Sequence, residues 1–86
     1  RPEVVADDRD ALDPDRPLLL IVEDDARYAR LMCDLAHEQG FQVLVAMRGA
    51  DALSLVRDYR PTAISLDVFL PDMLGWTVLS KLKQDA

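Results

Sequence analysis

The chain has 86 residues, half of them apolar, and a formal net charge of −6. That length holds one small domain, and the acidic balance argues against a nucleic-acid or anionic-membrane surface within the segment. A single cysteine, Cys33, excludes an internal disulfide, and no apolar run nears the ~20 residues that span a bilayer, so a cytoplasmic setting is expected, with a parent chain that could itself be membrane-anchored.

Residues 1–17 carry Pro2, Pro14, Pro17 and six acids and show neither a helical nor a strand period. They read as a linker or disordered tail, a tether from something upstream, with a folded unit at 18–86. Both ends read as cut from a longer chain. Leu18 to Val22 is an unbroken apolar run, the pattern of a central parallel strand buried on both faces. Three carboxylates follow it directly, Glu23, Asp24 and Asp25. Acids are too costly to bury in a core, so they belong where the strand ends and the chain turns.

Asp25 is placed to cap a helix running to about Gln39, with Gly40 as its stop. Tyr28, Leu31, Met32, Leu35 and Ala36 form an apolar stripe that predicts its buried face. His37 reads as a boundary residue and Cys33 as a small packing residue. Phe41 to Ala46, with one polar interruption, predicts an edge or near-edge strand. Ala50 to Asp58 predicts a second helix with Ala52, Leu53 and Val56 inward, ended by Arg60-Pro61. Thr62 to Leu66 predicts a third strand that delivers Asp67 at its carboxyl end. A loop over residues 68–74 leads to a third helix, Trp76 to Lys83, with Val78, Leu79 and Leu82 inward.

Strand and helix alternate three times, which predicts an α/β fold with a parallel, doubly wound sheet of order 2-1-3. In that order the first and third strands are neighbours, roughly 5 Å apart. Glu23, Asp24 and Asp67 then share one crevice. Like charges so close need a counter-ion, and an all-oxygen set suits Mg²⁺ better than zinc. An aspartate beside such a cation can act as nucleophile in phosphoryl transfer, and Asp67 is the best candidate.

These residues also resemble a known family. Leu19 to Asp25 is similar to the first strand and acidic pair of response regulator receiver domains. Leu66 to Gly75, with Pro four and Gly eight residues after Asp67, is similar to their phosphoacceptor segment. Gly40-Phe41, Gly49 to Leu53 and Arg60-Pro61 also fall at the family's places. The resemblance implies a flavodoxin-like fold and a phosphoryl group passed to Asp67 from a histidine kinase or histidine phosphotransfer domain. It implies Mg²⁺ held by Asp24 and Asp67, by Glu23 through water, and by the backbone carbonyl of Phe69. Asp72 is expected to be solvated. Residues 7–12 look similar to the junction before receiver domains in hybrid sensor kinases.

A complete receiver has five strand–helix units and this chain has three. Strands four and five, with a hydroxyl residue and a lysine that contact the phosphoryl group, are missing, and Lys81 and Lys83 lie on the wrong side to replace them. The chain is therefore expected to leave a sheet edge and apolar surface open to a second copy. Two other readings are a Mg²⁺-dependent phosphohydrolase with an aspartyl nucleophile and an inactive receiver-like interaction domain. The first is disfavoured because Phe69 stands where a second acid would be needed. At most the chain would catalyse its own phosphorylation and dephosphorylation, so it is not a conventional enzyme.

Overall fold

The structure is a computed structural model that describes residues 4–84. Three strands and three helices alternate: β1 (Leu18–Val22), α1 (Ala26–Glu38), β2 (Gln42–Ala46), α2 (Gly49–Tyr59), β3 (Ala63–Leu66) and α3 (Gly75–Gln84). The strands form one parallel sheet in the order β2-β1-β3, as the alternation predicts. Each observed element lies within two residues of its expected bounds.

Side chains of β1 alternate between the two faces, as a period of two requires. Leu18, Leu20 and Val22 join Leu44, Ala46, Ala52, Leu55 and Val78 in the core under α2 and α3. Ile21 joins Val43, Val45, Ala29, Cys33 and Ala36 in the core under α1. The central strand is apolar on both sides because it has a helix layer on both sides.

The buried face of α1 differs from the predicted stripe. Ala29, Cys33 and Ala36 are buried, whereas Tyr28, Leu31 and Leu35 are about half exposed. Small residues face the sheet because they let the helix axis sit close to it, and the larger apolar side chains point outward. Burial pushes the Cys33 thiol up to about 11, with the nearby charges of Asp7, Asp8 and Asp34 adding to the shift. In α2 the inward residues are Ala52 and Leu55, with Leu53 and Val56 packed at the margin. Leu79 of α3 is 37% exposed, so Val78 and the half-buried Leu82 carry that helix's packing.

Turns follow local chemistry. Asp25 caps α1, accepting from the N–H groups of Arg27 (3.0 Å) and Tyr28 (3.3 Å). Gly40, with φ +87°, ends α1 in the left-handed region, as glycine allows. Arg60 ends α2 with φ 50°, an unusual conformation for a residue with a Cβ.

Residues 4–17, expected within a linker or disordered tail, form no helix or strand but are docked along β2. Val5 is buried in the α1-side core and Leu12 packs against the other core. Asp8 and Asp7 accept hydrogen bonds from the Val43 and Val45 N–H groups at the sheet edge, a role that hydropathy periodicity cannot reveal. All of β2 is consequently buried, including Gln42, whose side-chain amide donates to the carbonyls of Asp13 (2.8 Å) and Arg16 (3.1 Å). At the opposite side of the sheet, β3 pairs only with β1 among the described residues, and Ala63 and Ile64 are exposed.

Leu44 is fully buried at the centre of the α2-side core. Leu44→Ala is expected to cost roughly 2–5 kcal/mol through lost burial and the cavity left behind. Urea unfolding of the two chains checks this as a drop in midpoint at unchanged slope.

Candidate phosphoacceptor and metal centre

The parallel register pairs Val22 of β1 with Leu66 of β3, so both strands end at the same level. Glu23 and Asp24 leave one strand end and Asp67 leaves the other. The Asp67 N–H donates to the Val22 carbonyl (3.0 Å), which ties the start of the loop to the end of β1. The three carboxylates converge: one oxygen from each of Glu23, Asp24 and Asp67 lies within 4.8 Å of the others. Glu23 and Asp67 are half-buried and Asp24 is exposed.

The ion pairs of Arg9 with Asp7 and of His37 with Asp8 do not reach this cluster. Burial pushes the Glu23 carboxyl above its ordinary range, and the charges of Asp67 and Asp24 push it the same way. A hydrogen bond from the Asp25 N–H to Glu23 (3.1 Å) works against that shift. A carboxylate whose proton affinity is raised costs stability while ionised, and the cost is relieved as pH falls through its folded value. Lys81 and Lys83 stand exposed in the last turn of α3, at the far end of that helix from the strand ends.

The loop after Asp67 is held from several directions. The Phe69 N–H donates to the Asp67 carboxylate at 3.4 Å, and the Phe69 side chain is 72% exposed. Phe69 and Leu74 form an isolated antiparallel bridge, and the Leu70 N–H donates to the Met73 carbonyl (3.2 Å) across Pro71-Asp72. Gly75 closes the loop, its N–H donating to the Val68 carbonyl (2.7 Å). A Cβ on Gly75 would overlap the backbone carbonyl oxygen of Asp67 and lie 3.1 Å from the Val68 Cα. Glycine is thus required eight residues after the aspartate because the chain passes against its own backbone there.

Asp72 is a correction to the sequence reading. Its carboxylate is not simply solvated: it accepts from the N–H groups of Gly49 (2.7 Å) and Ala50 (3.0 Å). It caps α2 from a distant part of the chain, in a place where the local residue Arg48 offers no side-chain cap. The hydrogen bond from the Ala50 N–H is the largest cause of its carboxyl lying below the ordinary range. No local signal reveals this, because the capping aspartate is 23 residues from the helix start. Met73 packs beside it, and a Cβ on Gly49 would run into the Met73 side chain.

The fold agrees with that of known proteins. The response regulator receiver domain family model matches residues 19–86. The chain belongs to that family. It is 36% identical over 75 residues to the DNA-binding response regulator MtrA of Mycobacterium bovis, an alignment covering 87% of this chain and 33% of that protein. It is also 36% identical over 67 residues to the polar-differentiation response regulator DivK of Brucella anthropi, covering 78% of this chain and 54% of that one. Among solved structures, a sensor protein from Polaromonas sp. JS666 aligns with a TM-score of 0.80 at 34% identity, covering 83% of this chain and 57% of that chain. The signal receiver domain of a Luxo repressor protein from Vibrio parahaemolyticus aligns at 0.78 and 33%, covering 81% and 54%. The chain therefore spans about a third of the MtrA relatives and a little over half of the solved receiver chains. It is a receiver-family segment of two-component signalling with the flavodoxin-like α/β fold. No helix among the described residues is long and apolar enough to cross a membrane.

Two substitutions probe the loop. Gly75→Ala is expected to destabilise the chain by about 1–3 kcal/mol, since the added methyl group meets backbone rather than a movable side chain. Thermal unfolding followed by circular dichroism checks it. Asp72→Ala is expected to cost about 1 kcal/mol at neutral pH through loss of the α2 cap. Because the Asp72 carboxyl is held below its ordinary 3.8, that contribution is complete above this value and is lost as pH falls through the lower folded value. The gap between the two chains in denaturant unfolding should therefore narrow only in strongly acidic solution.

Proposed function

We propose that the chain is a phosphoacceptor module in which Asp67 receives a phosphoryl group from a phosphohistidine on a histidine kinase or histidine phosphotransfer domain. The observation that carries this reading is the meeting of Glu23, Asp24 and Asp67 within 4.8 Å at the ends of two paired strands. Such a cluster would be disfavoured by repulsion unless it served to hold a cation and receive an electrophile.

The donor set fits a hard divalent cation. All three side chains offer carboxylate oxygen, and the proton affinity of Glu23 is raised by burial first and then by the charges of Asp67 and Asp24 beside it. Asp24 and Asp67 would hold Mg²⁺ directly, Glu23 through a water, and the Phe69 carbonyl would add a backbone oxygen. When bound there, the ion would offset the charge of the incoming phosphoryl group.

The protein's own part is placement. Asp67 is half-buried at the mouth of the sheet, and its loop is tied at Val22, Val68 and Gly49. An Asp67 carboxylate oxygen would form the new bond to phosphorus. The bond from phosphorus to the donor imidazole nitrogen would break, with its electron pair staying on that nitrogen. Phe69, two residues on, brings no second acid to activate water, which favours a lasting acyl phosphate over continuous hydrolysis.

Incubation with a small acyl-phosphate donor and Mg²⁺, read by intact mass, tests the assignment. One added phosphoryl group is expected per chain. It should be absent in Asp67→Asn and at least ten-fold slower to form in Asp24→Asn or without Mg²⁺. Many turnovers of donor per chain would indicate a phosphohydrolase instead, and no added mass an inactive interaction domain.

A further inference from the structure

The two β2 residues whose backbone groups point away from β1 are Val43 and Val45, since Gln42, Leu44 and Ala46 turn toward β1. On an edge strand these four outward groups would normally be left for water or for another strand. Here all four have partners from the segment before β1. The Val43 N–H donates to the Asp8 carboxylate (2.8 Å), and the Asp8 N–H donates to the Val43 carbonyl (2.9 Å). The Val45 N–H donates to the Asp7 carboxylate (2.8 Å), and the Arg9 guanidinium donates to the Val45 carbonyl (3.2 Å).

The segment thus reproduces the pairing of a neighbouring strand largely with side chains. Asp7, Asp8 and Arg9 supply in three consecutive residues what a strand supplies with its backbone. The arrangement is braced. Arg9 grips Asp7 through Nε (2.9 Å) and a second nitrogen (2.7 Å), and the Asp7 side chain is only 3% exposed. His37 of α1 lies 2.7 Å from the Asp8 carboxylate. Val5 anchors one end in the α1-side core, Leu12 contacts the other core, and Gln42 holds Asp13 and Arg16.

The strand beneath has no edge protection of its own. Val43, Leu44, Val45 and Ala46 include no charge and no proline, the devices that usually keep an exposed edge from pairing. We propose that residues 5–16 are a releasable guard of the β2 edge, and that the strand they exclude is β2 of a second copy. Two identical edges meeting about a two-fold axis present each other with the same free groups, so pairing is self-complementary once the guard is off. The guard is distinct from the acidic crevice, and the inference does not depend on phosphoryl transfer.

Residue-resolved hydrogen exchange on the unmodified chain is the first test. The Val43 and Val45 amides are expected to be protected, yet to exchange at least ten-fold faster than Leu44, through a local opening that leaves the sheet intact. Exchange at the rate of a free amide would overturn the proposal, and so would exchange identical to that of Leu44. The second test compares Asp7→Ala/Asp8→Ala with Asp7→Asn/Asp8→Asn, which carry the same charge. The alanine pair removes the acceptors and should lose protection at Val43 and Val45, with a further ten-fold rise in exchange. Its mass in sedimentation should rise with concentration more than that of the parent, while the asparagine pair behaves as the parent does. Because all three chains share the same β3 edge, the difference reports β2 alone. An alanine pair that loses protection and associates no more than the parent refutes the excluded-partner half; one that unfolds leaves the exchange measurement on the unmodified chain to decide.

Discussion

Repulsion among three carboxylates at neighbouring strand ends is the constraint around which this molecule is arranged. Parallel pairing of β1 with β3 sets Glu23 and Asp67 side by side. An open sheet tolerates such a cluster only at its carboxyl edge, where water and helix N-termini can reach it. The supports around it follow. Asp25 turns away to cap α1, the Asp67 N–H is fixed to Val22, and Gly75 brings the loop back against its own start. Asp72 then ties that loop to the beginning of α2. The backbone around the crevice is therefore held by bonds that do not involve the crevice's own charge, apart from the weak contact at Phe69 and the Asp25 N–H on Glu23.

The same residue type has a different use at the other side of the sheet. Asp7 and Asp8 are carboxylates facing backbone N–H donors rather than one another, so their charge is compensated on the spot. Arg9 adds a cation to Asp7, and burial, which opposes ionisation, is outweighed: the Asp7 carboxyl lies below its ordinary range. Glu23 is held above its range, because burial there is reinforced by the neighbouring acids and opposed by a single N–H donor, whereas at Asp7 the donors and Arg9 outweigh burial.

Much of the fold was legible from the chain. Apolar runs of strand length between helical periods gave the alternation, and the acids after β1 and β3 marked the edge where three carboxylates meet. On α1, Ala36 and Cys33 are buried as expected, but Tyr28, Leu31 and Leu35 were misjudged because size was taken as the sign of burial, and Ala29 was missed beneath a helix that lies close on the sheet. Asp72 and the residues before β1 escaped for a common reason. Their partners are backbone groups far away in sequence, and a carboxylate meeting an N–H carries no hydropathy signature. Proline and charge density made 1–17 look like a tail, although the side chains of Asp7, Asp8 and Arg9 are hydrogen-bonded to β2.

Cys33 offers a way to watch the α1 side of the molecule in motion. Its thiol is buried under α1, close enough to Asp7 and Asp8 to feel their charge, and burial lifts it to about 11, which suppresses even the small thiolate fraction of an ordinary thiol at neutral pH. A protonated, covered thiol reacts slowly with alkylating reagents. Any event that lifts the helix or strips away the residues before β1 both uncovers the sulfur and eases its ionisation. The rate of chemical modification at this one atom is thus a native clock for the breathing of that layer.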